Sequence, residues 1–153
     1  MPYIYANVQS IIGDEKVGTT QCVALVQKYA GVPHTSTWTP GAKVLDNKDI
    51  RPGTAIATFR NGRYLSADSG NHAAFFLSLD KGGFNVVDQW KDKPNRPVRN
   101  IEKRLITALN LPPRKDGSWP HESDNADAYF VIEALVVVKK AAAKKAAAKK
   151  VTK

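Results

Sequence analysis

Cysteine is almost missing from this chain: one stands among 153 residues, at position 22. A single thiol excludes an internal disulfide and a thiolate zinc site, so the fold must hold without oxidising conditions. No apolar run approaches the length of a membrane span. The first residues, Met1 Pro2 Tyr3 Ile4 Tyr5, also lack the basic region and long apolar stretch of a signal peptide, so a product made in the cytoplasm is expected. Acidic residues are absent from 139–153, which holds seven lysines, and these account for most of the net charge of +9, leaving +2 over residues 1–138. The body of the chain is therefore nearly neutral, and its composition does not point to a polyanion as its own ligand. The length allows one core, which we assign to residues 1–138, with 139–153 as a basic tail.

What the chain does have is organised around the stretch Gly18 to Tyr29. Apolar residues recur at helical spacing from Cys22 through Val23, Leu25, Val26 and Tyr29, so a helix is predicted from about Thr19 or Thr20, with either threonine as its cap, to near Gly31. Cys22 then falls in the first turn, where the partial positive charge of the helix end favours a thiolate. Position alone equally fits a small buried apolar residue. Residues 34–49, with Trp38, Pro40 and Gly41, have loop composition. Thr54 to Phe59 is β-prone, and Asn61 Gly62 predicts a hairpin that returns Tyr64 and Leu65 along the same strand.

His72 to Leu79 is apolar on both faces, as a central strand should be, and Phe84 to Trp90 returns antiparallel to it. Residues 91–100 and 112–125 read as loops, 101–109 is not assigned, and Ala128 to Val138 reads as a last long strand. One helix followed by antiparallel strands is an α+β layout. The tail repeats every five residues, which spirals its lysine pairs around any helix and leaves no apolar stripe. Two readings of it stand: a solubilising appendage, or a non-specific hold on an anionic polymer.

A cysteine at a helix start becomes a nucleophile only when a base reaches it and a third group orients that base. His72 opens the central strand, whereas His34 and His121 lie in loops. If the turn from Asp80 to Gly82 has three residues, Leu79 pairs with Gly83 and His72 stands opposite Trp90, which brings Asp88 to the same face one diagonal step away. A turn longer by one residue brings Gln89 there instead.

At these residues the chain resembles a known group. Gly18 to Val26, with Gln21 before Cys22, is similar to the cysteine motif of the CHAP and NlpC/P60 peptidoglycan hydrolases; Ile50 to Ile56 resembles their turn and strand leading toward the histidine. Asn71 to Phe76 and Val86 to Trp90 resemble their histidine and acid strands, although CHAP enzymes often carry an asparagine where this chain has Trp90. Small amidase effectors delivered by type VI secretion share the plan.

The resemblance implies a papain-like fold and hydrolysis of an amide in cell-wall peptidoglycan through a thioester. Catalytic Cys22, His72 and Asp88 would carry it, with Gln21 and Gln89 as accessory residues, Gln21 by the oxyanion, and Trp38, Trp90 and Trp119 along a substrate groove. No cofactor or metal enters that scheme. Export by a dedicated machine to a periplasm and an immunity protein as partner are further implications. The alternative is an inactive papain-like module held to an anionic polymer by the tail; a nucleic-acid-binding reading lacks a basic stripe in residues 1–138.

Overall fold

The computed structural model describes residues 2–67 and 69–134. Residues 135–138, expected to continue the last strand, and the tail 139–153 lie outside the described residues. One helix, α1 (Cys22–Ala30), packs on a six-stranded antiparallel sheet: β1 (Trp38–Lys43), β2 (Ala55–Thr58), β3 (Ala73–Asp80), β4 (Gly83–Asp88), β5 (Glu102–Thr107) and β6 (Tyr129–Ala134). The spatial order is β1-β6-β2-β3-β4-β5, so the last strand inserts beside β2. This is the expected α+β arrangement. Among the described residues no helix is long and apolar enough to cross a membrane.

Side chains alternate across the sheet and feed two cores. Ala57, Ala73, Phe75, Val87 and Ile132 meet Leu25 and Val26 of α1 on one face, while Ile56, Ala74, Phe76, Val86 and Tyr129 form the core of the other. Strands covered on both sides must be apolar at successive positions, which is why β2, β3 and β4 carry no polar-apolar alternation. Gly53 turns the chain into β2 at φ 90°, with its place for a Cβ only 2.0 Å from the Tyr5 carbonyl oxygen, so only glycine lets the N-terminal segment cross there.

Four expectations need correction. Neither Thr19 nor Thr20 caps α1: Thr20 is left-handed at φ 68°, and Gln21 is the cap residue, with no side-chain bond. Residues 34–49 contain β1, an edge strand paired with β6, whose register shifts between Pro40 and Lys43. Proline is tolerated on an edge, and a Cβ at Gly41 would sit tightly, 3.1 Å from the Val131 carbonyl oxygen. The Asn61 Gly62 turn forms, with Arg60 and Arg63 bonding each other in both directions, but Tyr64 and Leu65 do not run back along β2, whose neighbours are β3 and β6. The unassigned stretch 101–109 holds β5, an edge strand exposed on one face.

The fourth correction concerns register. Asp80 pairs with Gly83 and Leu79 with Phe84, so the turn is shorter than three residues. Continued outward, that register would bring Gln89 to the face of His72. An irregularity between Phe76 and Ser78 intervenes, and beyond it Phe76 pairs with Val86 and Phe75 with Val87. Leu77 is the extra residue. The bulge restores the register expected at the far end of the pair, by a route not foreseen.

Candidate active site

The start of α1, the start of β3 and the end of β4 meet at one end of the sheet. His72 stands immediately before β3, held by two bonds to Thr58: its amide donates to Thr58 Oγ1 at 3.0 Å, and its carbonyl accepts from the Thr58 amide at 2.9 Å. Its ring is fully buried, and Nε2 donates to Asp88 Oδ2 over 2.8 Å. With Nε2 engaged, Nδ1, which has no hydrogen-bond partner among the described residues, is the ring atom left to address a thiol.

That thiol is Cys22. Burial pushes it up, but the His72 ring beside it outweighs burial and holds it below the ordinary thiol value, helped by the Ala73 amide and the Tyr64 hydroxyl. The imidazole moves the opposite way. Burial disfavours its charged form, yet Asp88 and then Cys22 raise its pKa above the ordinary histidine value. Burial also opposes the Asp88 carboxylate, and the hydrogen bond and charge of His72, then the charge of Arg104, overcome it, so Asp88 is held below the usual carboxylate range. A lowered thiol against a raised imidazole is the condition for a thiolate-imidazolium pair.

The family model described as domesticated amidase effector 2 matches residues 3–132. The chain belongs to the domesticated amidase effector 2 family. A relative from Salmonella typhi, named type VI secretion amidase effector 2 protein, is 52% identical over 135 residues, which is 87% of this chain and all of that protein. The solved structure of type 6 secretion amidase effector 2 superposes with a TM-score of 0.79 at 50% identity, covering 87% of this chain and 95% of that one. The α+β fold is papain-like.

In this family member the remaining expected residues divide. Gln89 is fully buried and bonds no part of His72: its side chain accepts from the Val17 amide at 3.0 Å and donates to the Val17 carbonyl at 3.1 Å and the Gln21 carbonyl at 2.7 Å. It ties the end of β4 to the loop that enters α1. The Gln21 side chain is exposed. Trp90 stacks on His72, ring centroids 3.9 Å apart and planes within 8°, and the Arg104 guanidinium lies over the same indole. Trp38 belongs to the core, 3% exposed, with its Nε1 donating to the Pro33 carbonyl. Trp119 donates to the Phe59 carbonyl and carries Lys43 over its ring. Among the described residues neither of these two hydrogen-bonds Cys22 or His72.

Two residues at the site were not anticipated. Tyr64 Oη lies 3.8 Å from Cys22 Sγ and accepts from Asn71 Nδ2 at 3.0 Å, which leaves the hydroxyl hydrogen free to point at the sulfur. Arg104, on β5, donates from Nε to Asp88 Oδ2 at 3.1 Å and from Nη1 to Asp124 at 2.6 Å. The failed hairpin hid Tyr64, because it placed that residue on a strand. Arg104 became visible only with β5, whose Arg104 pairs with Val86, two residues before Asp88.

Proposed function

We propose that this chain is a peptidoglycan amidase in which Cys22 attacks a cell-wall amide and His72 and Asp88 serve it. The observation that carries the reading is one imidazole whose Nε2 is bonded to a buried carboxylate and whose Nδ1 is left unbonded, with the chain's one thiol beside the ring.

The reaction runs as proton and acyl transfers. Thiolate Sγ adds to the amide carbonyl carbon, and the negative charge that develops on its oxygen is met by the Cys22 amide, at the first position of α1 where helix geometry supplies no intrahelical partner, and by the Tyr64 hydroxyl. As the C–N bond breaks, His72 gives its Nδ1 proton to the leaving amine, and the thioester remains on Cys22. Water then gives a proton to the same nitrogen while its oxygen attacks the thioester, the C–S bond breaks, and a carboxylic acid leaves. Asp88 fixes the ring with Nε2 protonated, so Nδ1 faces the chemistry throughout.

Relatives named as type VI secretion amidase effectors support a chain delivered to the periplasm of a neighbouring cell, with an immunity protein guarding the producer. Digestion of purified peptidoglycan, with muropeptides read by mass spectrometry, tests the reading. Wild type should generate new amine and carboxyl termini at one bond, and Cys22→Ala, with its melting temperature retained, should generate none. Equal products from both, or none from wild type, would overturn it.

A further inference from the structure

A cavity of about 480 Å³ opens beside Trp90, within the range of small-ligand sites. Its walls carry six cationic side chains against two carboxylates. Both carboxylates are spoken for, since Asp92 pairs with Lys16 and Asp124 with Arg104. Lys91, Lys93 and Arg96, all exposed, form no ion pair among the described residues. Three uncompensated cations on one short loop repel each other and concentrate a positive potential in the cleft. Trp90, which lines this cleft, lies flat on His72, so the cleft adjoins the catalytic imidazole through one residue.

From these juxtapositions we infer that the cleft is a subsite for free carboxylates of the peptide that flanks the scissile amide, with Lys91, Lys93 and Arg96 as its specificity-determining residues. The inference rests on the amidase reading and deepens it: the substrate is an acidic peptide stem, and amidation of its side carboxyl groups makes it a poorer one. Lysine and arginine at exposed positions recognise such groups by charge, so the preference weakens with salt.

The test uses the full chain and two synthetic muropeptides that differ only in whether the side carboxyl groups are free or amidated. Wild type should show a kcat/KM about tenfold higher on the acidic form at low salt, roughly a factor of two for each exposed charge contact. The combined Lys91→Ala, Lys93→Ala, Arg96→Ala variant should lose that advantage through KM and leave the amidated form unchanged. Lys93→Glu alone should discriminate against the acidic form more than the charge-neutral change at that position does. No preference in wild type, or an equal loss on both forms in the variant, overturns the subsite. If wild type cleaves neither form, the amidase reading fails, and tryptophan fluorescence on titration with each peptide still decides the subsite. Tighter binding of the acidic form, lost in the triple variant, supports it; equal binding of both forms refutes it.

Discussion

The Gln89 side-chain amide reaches across 2.7 Å to the Gln21 carbonyl, so the strand that ends in Asp88 also anchors the residue directly before Cys22. Acid and nucleophile are thereby positioned by neighbours on one strand: Asp88 faces the imidazole, and Gln89, turned to the opposite side, grips the loop into α1. The distance from thiol to ring depends on both grips.

Gln89→Ala should therefore be costly despite the absence of any bond to His72. It strands the Val17 amide and two carbonyls, all bonded to the lost side chain, and each buried group left unsatisfied costs about 1–3 kcal/mol. Thermal unfolding should show a fall of several degrees. At temperatures where the variant is folded, kcat should drop while KM changes little, because the displaced element is the nucleophile rather than the substrate pocket.

Asp88→Asn should lower kcat by about a thousandfold, since the amide cannot hold the imidazolium or enforce its tautomer. Arg104→Ala should act more gently. It removes a cation that favours the Asp88 carboxylate, so the acid limb of the pH profile should move upward while the plateau survives in part. Steady-state kinetics across pH on both variants separates the two roles.

The pH profile itself has a predicted sign. Activity needs Cys22 charged and His72 protonated, so kcat/KM should rise with pH through the lowered thiol pKa and fall through the raised histidine pKa. The two limbs belong to the coupled pair rather than to either residue. Asp88, held below its unfolded value, contributes stability that is complete above about pH 4 and is lost as pH falls through its folded value. Wild type should thus lose melting temperature on acidification more steeply than Asp88→Asn.

Tyr64→Phe keeps the ring against Trp38 and removes only the hydroxyl beside the sulfur. Turnover should fall by about ten- to a hundredfold, the scale of a single lost oxyanion donor or somewhat less. Alkylation of Cys22 by iodoacetamide, which builds no oxyanion, should change far less. Similar losses in both reactions would make thiolate stabilisation, and not the oxyanion, the main role of Tyr64.

How far the fold could be read from residues alone varied with the kind of force involved. The central strands were legible because burial on both faces writes continuous apolar runs, and α1 because Gly31 closes it in the left-handed conformation. Edge strands were not: β1 carries Pro40 and Gly41, and β5 exposes half its side chains, so neither shows an apolar pattern. Asp88 was reached through parity, yet the parity held only because a short turn and the bulge at Leu77 offset each other. Residues placed by distant packing left no local signal. Tyr64 comes from a segment after a turn, and the Gln89 clamp spans 72 positions in the chain to Val17, a separation at which spacing says nothing.

The central claim is that Cys22 becomes acylated through a thiolate made by His72. Intact-protein mass spectrometry after rapid acid quench of wild type with a muropeptide reads this directly, and a slow-turnover Asp88→Asn sample extends the intermediate's lifetime. The account predicts a mass increase equal to the acyl half of the substrate, mapped to Cys22, lost on treatment with hydroxylamine and absent in His72→Ala. Release of cleaved muropeptide at the wild-type rate by Cys22→Ala, or an adduct on another residue, would contradict it.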